Sequence, residues 1–356
     1  MTRHDEPMPS QRPDEYDEKG AMRPWRPLPA RRTRRLTSIL SGRSRRAVAL
    51  TWLLAWVCEG AFAQGSPVPR TSQCPLTSFT APPLFHPNDP RVFGAKCDGV
   101  TDDSAAFQKA INAGDVKVAA GTCLINKTVT VRVSQRRLEC APGTLLKRTV
   151  SDAESMFLYD AGNGALIGNS IVNCNFEGAN SPEPVIDFQA PGHWDIPVLT
   201  RGNVSNFLFA GNTMKQFFGQ SFFQTTGDNG GSGDRVIFNT FMNCPLYGPA
   251  FVGHMNGYIG YNRVMGCMAG IENDHATDNT GGNILECNKI TASNGASGNI
   301  TGGVQGKNTN YSGNIVRYNL ITGKNTGILQ KHEEGGRDAQ YIGNSCIDGC
   351  RVKGNP

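Results

Sequence analysis

One short pattern recurs through the C-terminal half of the chain, and it limits the fold more than any other feature. Apolar-x-x-Asn-x-apolar appears at Phe209–Met214, Val236–Phe241, Ile259–Val264, Leu285–Ile290 and Val316–Ile321, and again from Tyr341 to Cys346. Ile171–Phe176 fits upstream, with Cys174 in the Asn slot. The six Asn are 27, 23, 26, 31 and 25 residues apart. Segments this short, Gly-rich and alternating exclude helical repeats. A repeat of about 25 residues with short strands predicts a β-solenoid, in which each coil pairs with the coils above and below at about 4.8 Å. An Asn at the same turn of every coil can stack inward and bond its neighbours, so these residues are read as structural. Cys244 and Cys267 each follow a ladder Asn by five residues, which predicts neighbours on successive coils, joined as a disulfide or stacked as thiols.

Composition supports this reading. The 42 Gly and the charged fraction of 18% exclude a long coiled coil and charge-driven disorder. The formal charge of +5 is misleading. Of 35 Lys/Arg and 30 Asp/Glu, residues 1–63 hold 12 and 7, which leaves 23 of each in residues 64–356. The excess belongs to a segment that reads as an export leader. An Arg-rich stretch over 31–46 precedes an apolar run from Ala47 to Val57, and Ala61-Phe62-Ala63 follows as a cleavage pattern. The apolar run is too short for a stable membrane anchor. The expected organisation is a cleaved leader over 1–63, an extended linker or cap over 64–90, and the β-helix over 91–356, in a secreted or periplasmic monomer. In an oxidising compartment the ten Cys after Cys58 favour disulfides, and no C-x-x-C pair suggests zinc.

Upstream of the repeat, Ser104–Asn112 reads as a short helix, capped within Asp102–Ser104 and stopped near Gly114. Three strand-like runs follow: Val116–Val118, Gly121–Ile125 and Val129–Val131. A helix here would cover the open end of a solenoid core. The runs VFGAKCDGVTDDSAAFQKAI, AAGTCLI and LECAPGTLLKR resemble the N-terminal segment of the pectate-lyase-like (pectin lyase fold) superfamily, in particular its rhamnogalacturonase/epimerase-like pectate lyase domain. The resemblance covers about residues 90–350. It implies an all-β, right-handed parallel β-helix with a short N-terminal capping helix, acting on extracellular polysaccharide. The Asp98-Gly-x-Thr-Asp-Asp core is read as turn and capping chemistry.

A second strand in each coil can be aligned on Ile186, Phe222, Phe251, Ile271, Ile300 and Ile328, taken as inward. The first outward row is then Asp187, Phe223, Val252, Glu272, Thr301 and Leu329. The second is Gln189, Thr225, His254, Asp274, Gly303 and Lys331. Ionisable groups gather in the middle coils, with Glu272 and Asp274 about 7 Å apart on one strand and His254 expected beside Asp274. His193, His275 and His332, together with Trp194, fall on the same edge. Glu272, Asp274, His254 and Lys331 are the candidate catalytic residues. Trp194, His193, Asp187, His275 and His332 are the candidate substrate-binding residues, with Trp194 stacking on a sugar ring.

The chemistry implied is cleavage of an extracellular, uronate-containing polysaccharide by hydrolysis or elimination. The polygalacturonase-type motif set and the Arg-x-Pro-x-x-Arg lyase signature are missing, so no reaction carries over residue by residue. A non-catalytic polysaccharide-binding β-helix and a uronate epimerase are the alternatives. No cofactor is assigned. A bound Ca²⁺ is left open at Asp228–Asp234, although that run lacks the ligand spacing of a calcium loop. Nothing marks a nucleic-acid partner, and no membrane association is expected after leader removal.

Overall fold

The computed structural model describes residues 73–150, 155–179, 195–217, 219, 221–226, 231–244, 247–267, 270–275, 281–291, 299–304, 313–322, 327–330, 340–347 and 351–352. These form an all-β parallel β-helix. Three parallel sheets run along the solenoid, with ten, nine and nine strands among the described residues. The first extends from Asp98–Asp102 to Ser345–Ile347, the second from Val116–Val118 to Gln340–Ile342, and the third from Val129–Val131 to Arg351–Val352. Each coil contributes one short strand to each sheet.

The recurring Asn form a ladder at the corner between the second and first sheets. The backbone N–H of Asn212, Asn239, Asn262, Asn288 and Asn319 donates to Oδ1 of the next Asn in the series at 2.9–3.1 Å. Each side-chain amide donates to that same Oδ1 and to a backbone carbonyl one coil back, as Asn262 does to Val236 at 2.8 Å. Buried backbone at a sharp corner is thereby satisfied. The residue before the ladder position is left-handed in every coil, including the bulky Phe238, Tyr261 and Tyr318 at φ 56°, 59° and 56°. Such backbone costs about 1–2 kcal/mol per non-glycine residue, which the ladder's bonds offset. Cys174, in the Asn slot, instead bridges to Cys140.

A second ladder occupies the position five residues earlier, just before each strand of the second sheet. Arg136 N–H donates to Asn169 Oδ1, Gly257 N–H to Asn283 Oδ1, and Asn283 N–H to Asn314 Oδ1, at 2.7–3.0 Å. Phe207 and Asp234 hold the same position in the intervening coils, and Phe207 N–H donates to Asp234 Oδ1 at 2.8 Å. Sequence reasoning missed this ladder because Phe, Asp and Gly interrupt it. The constant offset of five from the first ladder would have disclosed it.

Helix α1, Ser104–Ala113, starts and stops where the sequence predicts, with Asp103 at its N-cap and Gly114 at its C-cap. Ala106, Phe107, Ala110 and Ile111 enter the core, with Phe107 edge-on to Phe157 at 6.4 Å. Asp98 accepts bonds from Val100 N–H and Thr101 N–H, and Asp103 from Lys96 N–H and Cys97 N–H. The acidic motif is therefore occupied with turn bonds.

Residues ahead of the helix run as a strap over the second sheet. Phe79 and Ala81 pack on the apolar cluster of Val172, Ala210 and Ile237, and Pro82 O accepts from Arg137 at 2.6 Å. Asn88 pairs with Val116, and Cys74 is disulfide-bonded to Cys287. Three further disulfides join Cys97–Cys123, Cys140–Cys174 and Cys244–Cys267, so the last pair is bridged rather than merely stacked. Cys74→Ser combined with Cys287→Ser is expected to lower stability by about 2–3 kcal/mol. Urea unfolding checks this; an unchanged midpoint would show that the strap adds nothing to the solenoid.

Candidate functional site

Backbone pairing on the third sheet fixes which residues share a column. One column runs Leu158, Leu199, Gln224, Ala250, Glu272, Thr301 and Leu329. By backbone register, the column two residues along contains Asp160, Arg201 and Thr226, then Val252, Asp274 and Gly303. Glu272 and Asp274 thus lie two residues apart on the strand Ile271–His275, in register with Thr301 and Gly303 as the sequence reading placed them.

The coils on the preceding side differ from expectation. Phe251 pairs with Asn273 rather than Ile271, so Ala250 and Val252 take the places assigned to Val252 and His254. Phe223 pairs with Pro249 and turns inward, stacking on Phe209 at 5.0 Å, where an outward position was expected. The alignment matched one apolar residue per coil, Phe251 with Ile271, and backbone pairing shifts that match by two residues. Coil lengths vary, and this strand, Tyr247–Val252, begins early through Gly248 and Pro249.

His254 is the main correction. The strand ends at Val252, and Gly253 turns the chain at φ 65°, so alternation no longer applies. The imidazole points into the solenoid and is 0% exposed. Its Nε2 accepts Asp234 N–H at 3.2 Å, and its ring lies 4.6 Å from that of Phe251. Burial lowers its pKa to about 3. His254 does not stand beside Asp274 and cannot reach a substrate on the outer face.

Glu272 is 5% exposed although it lies in an outward column. Gln224, two coils away with the small Ala250 between, is also buried, and its Oε1 has no hydrogen-bond partner among the described residues. Between Glu272 and Asp274, Asn273 turns inward and accepts from Asn283 Nδ2 at 2.9 Å, the same amide that donates to His254 O. The strand carrying both acids is therefore tied to the second ladder. Further along the face, Arg132 donates to Asp160 at 2.9 Å. Burial pushes the Asp160 carboxyl up, but bonds from Arg132 and Gly162 N–H and the charges of Arg132 and Arg201 hold it below its ordinary value overall. No spacing signal marked Gln224, Arg132, Asp160 or Arg201 in the sequence.

His275 ends the same strand, in register with Val304. Asp187, His193, Trp194, Lys331 and His332 lie outside the described residues, as do Asp228, Asn229 and Gly230 of the Gly/Asp loop. Asp234, at the end of that loop, is buried and belongs to the second ladder. Cys97, Asp103 and Cys123 group as metal-type ligands, but the two sulfurs are bonded to each other. Among the described residues no helix is long and apolar enough to cross a membrane.

No family model and no curated protein matches the chain. Several solved structures share the fold. The catalytic unit of a thermostable GH87 α-1,3-glucanase from Streptomyces thermodiastaticus aligns at 18% identity and TM-score 0.51, over 75% of this chain and 48% of that one. The Agl-KA catalytic domain aligns at 14% identity and TM-score 0.53, over 77% and 50%. The tailspike of Acinetobacter baumannii phage AM24 aligns at 14% identity and TM-score 0.51, over 75% and 45%. The chain spans about half the length of these structures, and at such identities the likeness is one of fold, the parallel β-helix.

Proposed function

We propose that this protein is an exported carbohydrate-active enzyme that cleaves a uronate-containing polysaccharide laid along the outer face of the third sheet. The observation that carries the reading is the pairing of Glu272 and Asp274 on one central strand, with the Glu272 carboxyl shielded from solvent. Two acids two residues apart on one strand would, in this reading, take general acid and base roles. A spacing of about 6.5–9.5 Å is the range in which water fits between the acids of an inverting hydrolase. Lys331 and Asp274 serve, in this reading, to grip or activate an acidic sugar, while Trp194, His193, Asp187, His275 and His332 bind neighbouring units. His254 has no part in the chemistry. Export is supported by the leader pattern and by four disulfides. The β-helix shared with a glucanase catalytic unit is compatible with the reading and does not define the substrate.

The test is turnover of a panel of acidic and neutral polysaccharides. New reducing ends alone indicate hydrolysis. Added ultraviolet absorbance indicates elimination, and altered stereochemistry without cleavage indicates epimerisation. Glu272→Gln and Asp274→Asn are each expected to cut the rate by about a hundredfold or more, with the unfolding midpoint little changed. Full activity in both variants would remove these residues from the site, and binding without turnover would favour a polysaccharide-binding module.

A further inference from the structure

The second ladder lacks an acceptor side chain at two positions, Phe207 and Gly257, and at Gly257 another residue supplies it. Its usual device is a backbone N–H bonded to an Asn side chain in the next coil. At Asp234 the next coil offers Gly257, which has no side chain. The imidazole of His254 fills that space and supplies the missing acceptor, Nε2, at 3.2 Å. A Cβ on Gly257 would lie 2.6 Å from His254 Cδ2 and 2.3 Å from Phe251 Cε2, so Gly and His occupy the rung together. Because Nε2 accepts, the neutral ring carries its hydrogen on Nδ1. Nδ1 faces Asp234 Oδ2 at 3.9 Å, and neither atom has a hydrogen-bond partner among the described residues. Both side chains are 0% exposed.

Phe251 packs on the imidazole, and Asn283, bonded to Asn273, donates to the His254 backbone carbonyl. On the strands that carry or adjoin these residues, Arg235, Tyr258 and Glu286 form an outer-surface cluster, with Arg235 over the Tyr258 ring and Tyr258 donating to Glu286. Glu272 and Asp274 alternate with Asn273 along their strand. Asp234 is thus the titratable group that faces His254.

We infer that Asp234, His254 and Gly257 form a titratable joint in a solenoid whose other described rungs are mostly non-titrating amides, so that among the described rungs pH acts on the ladder at this coil. Burial holds the Asp234 pKa well above its ordinary 3.8 and lowers that of His254 to about 3, which favours the neutral form of each in the folded chain. His254 contributes stability that is full above its unfolded value of about 6.5 and is lost as pH falls toward 3. Asp234 contributes stability that is full below 3.8 and is lost as pH rises through its raised folded value. Above pH 3.8, and below both 6.5 and the raised Asp234 value, the two slopes oppose, because folded and unfolded forms then bind the same number of protons on this pair.

The experiment is urea unfolding of the full-length protein from pH 4 to 8, comparing Asp234→Asn with the double variant His254→Ala/Gly257→Asn, which restores an amide rung. Relative to wild type, Asp234→Asn is expected to lose stability on acidification from pH 6.5 to 4, by up to about tenfold in the folding constant per pH unit. The double variant is expected to gain by a similar factor over the same interval. Slopes of opposite sign establish the joint, and parallel profiles for all three proteins overturn it. If the double variant does not fold, the His254 ring resonance in the wild type decides: no titration above pH 4 supports the joint, and a midpoint near 6.5 refutes it.

Discussion

Arg148→Met is expected to destabilise the protein by about 3–5 kcal/mol, among the largest single effects in the molecule. Arg148 and Asp195 are both 0% exposed, and Arg148 Nη1 donates to Asp195 Oδ1 at 2.9 Å. The same guanidinium donates to the carbonyls of Ile125 and Ser155 at 3.3 and 3.2 Å. It therefore joins three separate stretches of chain beside the edge of the first sheet. Removing it takes the Arg148 charge away from the buried Asp195 carboxylate and leaves two carbonyls without that donor. The cost arises from the charge left behind rather than from the strength of the pair. The double variant Arg148→Met/Asp195→Leu is accordingly expected to recover at least half of the loss. Urea unfolding of the two variants is the check; a single-variant loss below about 1 kcal/mol would show that water reaches the site.

Asn262→Ala is expected to cost about 4 kcal/mol, since two buried donors are orphaned at about 1–3 kcal/mol each. Asn262 Oδ1 receives both the backbone and the side-chain N–H of Asn239, and its own amide supplies Val236 O and Asn288 Oδ1. The rung sits at mid-ladder, beside the left-handed Tyr261. Loss of its bonds removes the compensation for that backbone. Asn344→Ala, at the last described rung and partly exposed, is expected to cost less than half as much. Equal losses at the two positions would show that the ladder bonds are not worth more where they are buried. The comparison uses thermal and urea unfolding of both variants.

Much of the architecture was readable from residue spacing. The Asn recurrence identified the solenoid because every coil meets the same problem, buried polar backbone at a corner, and solves it with the same side chain. The capping helix was readable for a related reason: its periodic apolar face and its Gly stop are local signals. The register of Glu272 with Thr301 and of Asp274 with Gly303 was readable because the apolar residues used to align these two coils, Ile271 and Ile300, do pair.

The rest depended on tertiary structure. A coil that starts its strand two residues early changes which residue stands beside Glu272 without disturbing inward–outward alternation, so sequence alignment cannot detect the slip. Once the strand has ended, alternation says nothing about direction, and so His254 was assigned to the outer face while it in fact completes a rung inside. The strap and the Cys74–Cys287 bridge join positions 213 residues apart. Spacing determined that coils stack, which side chain turns each corner and that Cys244 neighbours Cys267; only packing decided the register at the Tyr247–Val252 strand, the partners of the other bridged cysteines and the side of the wall on which the histidine lies.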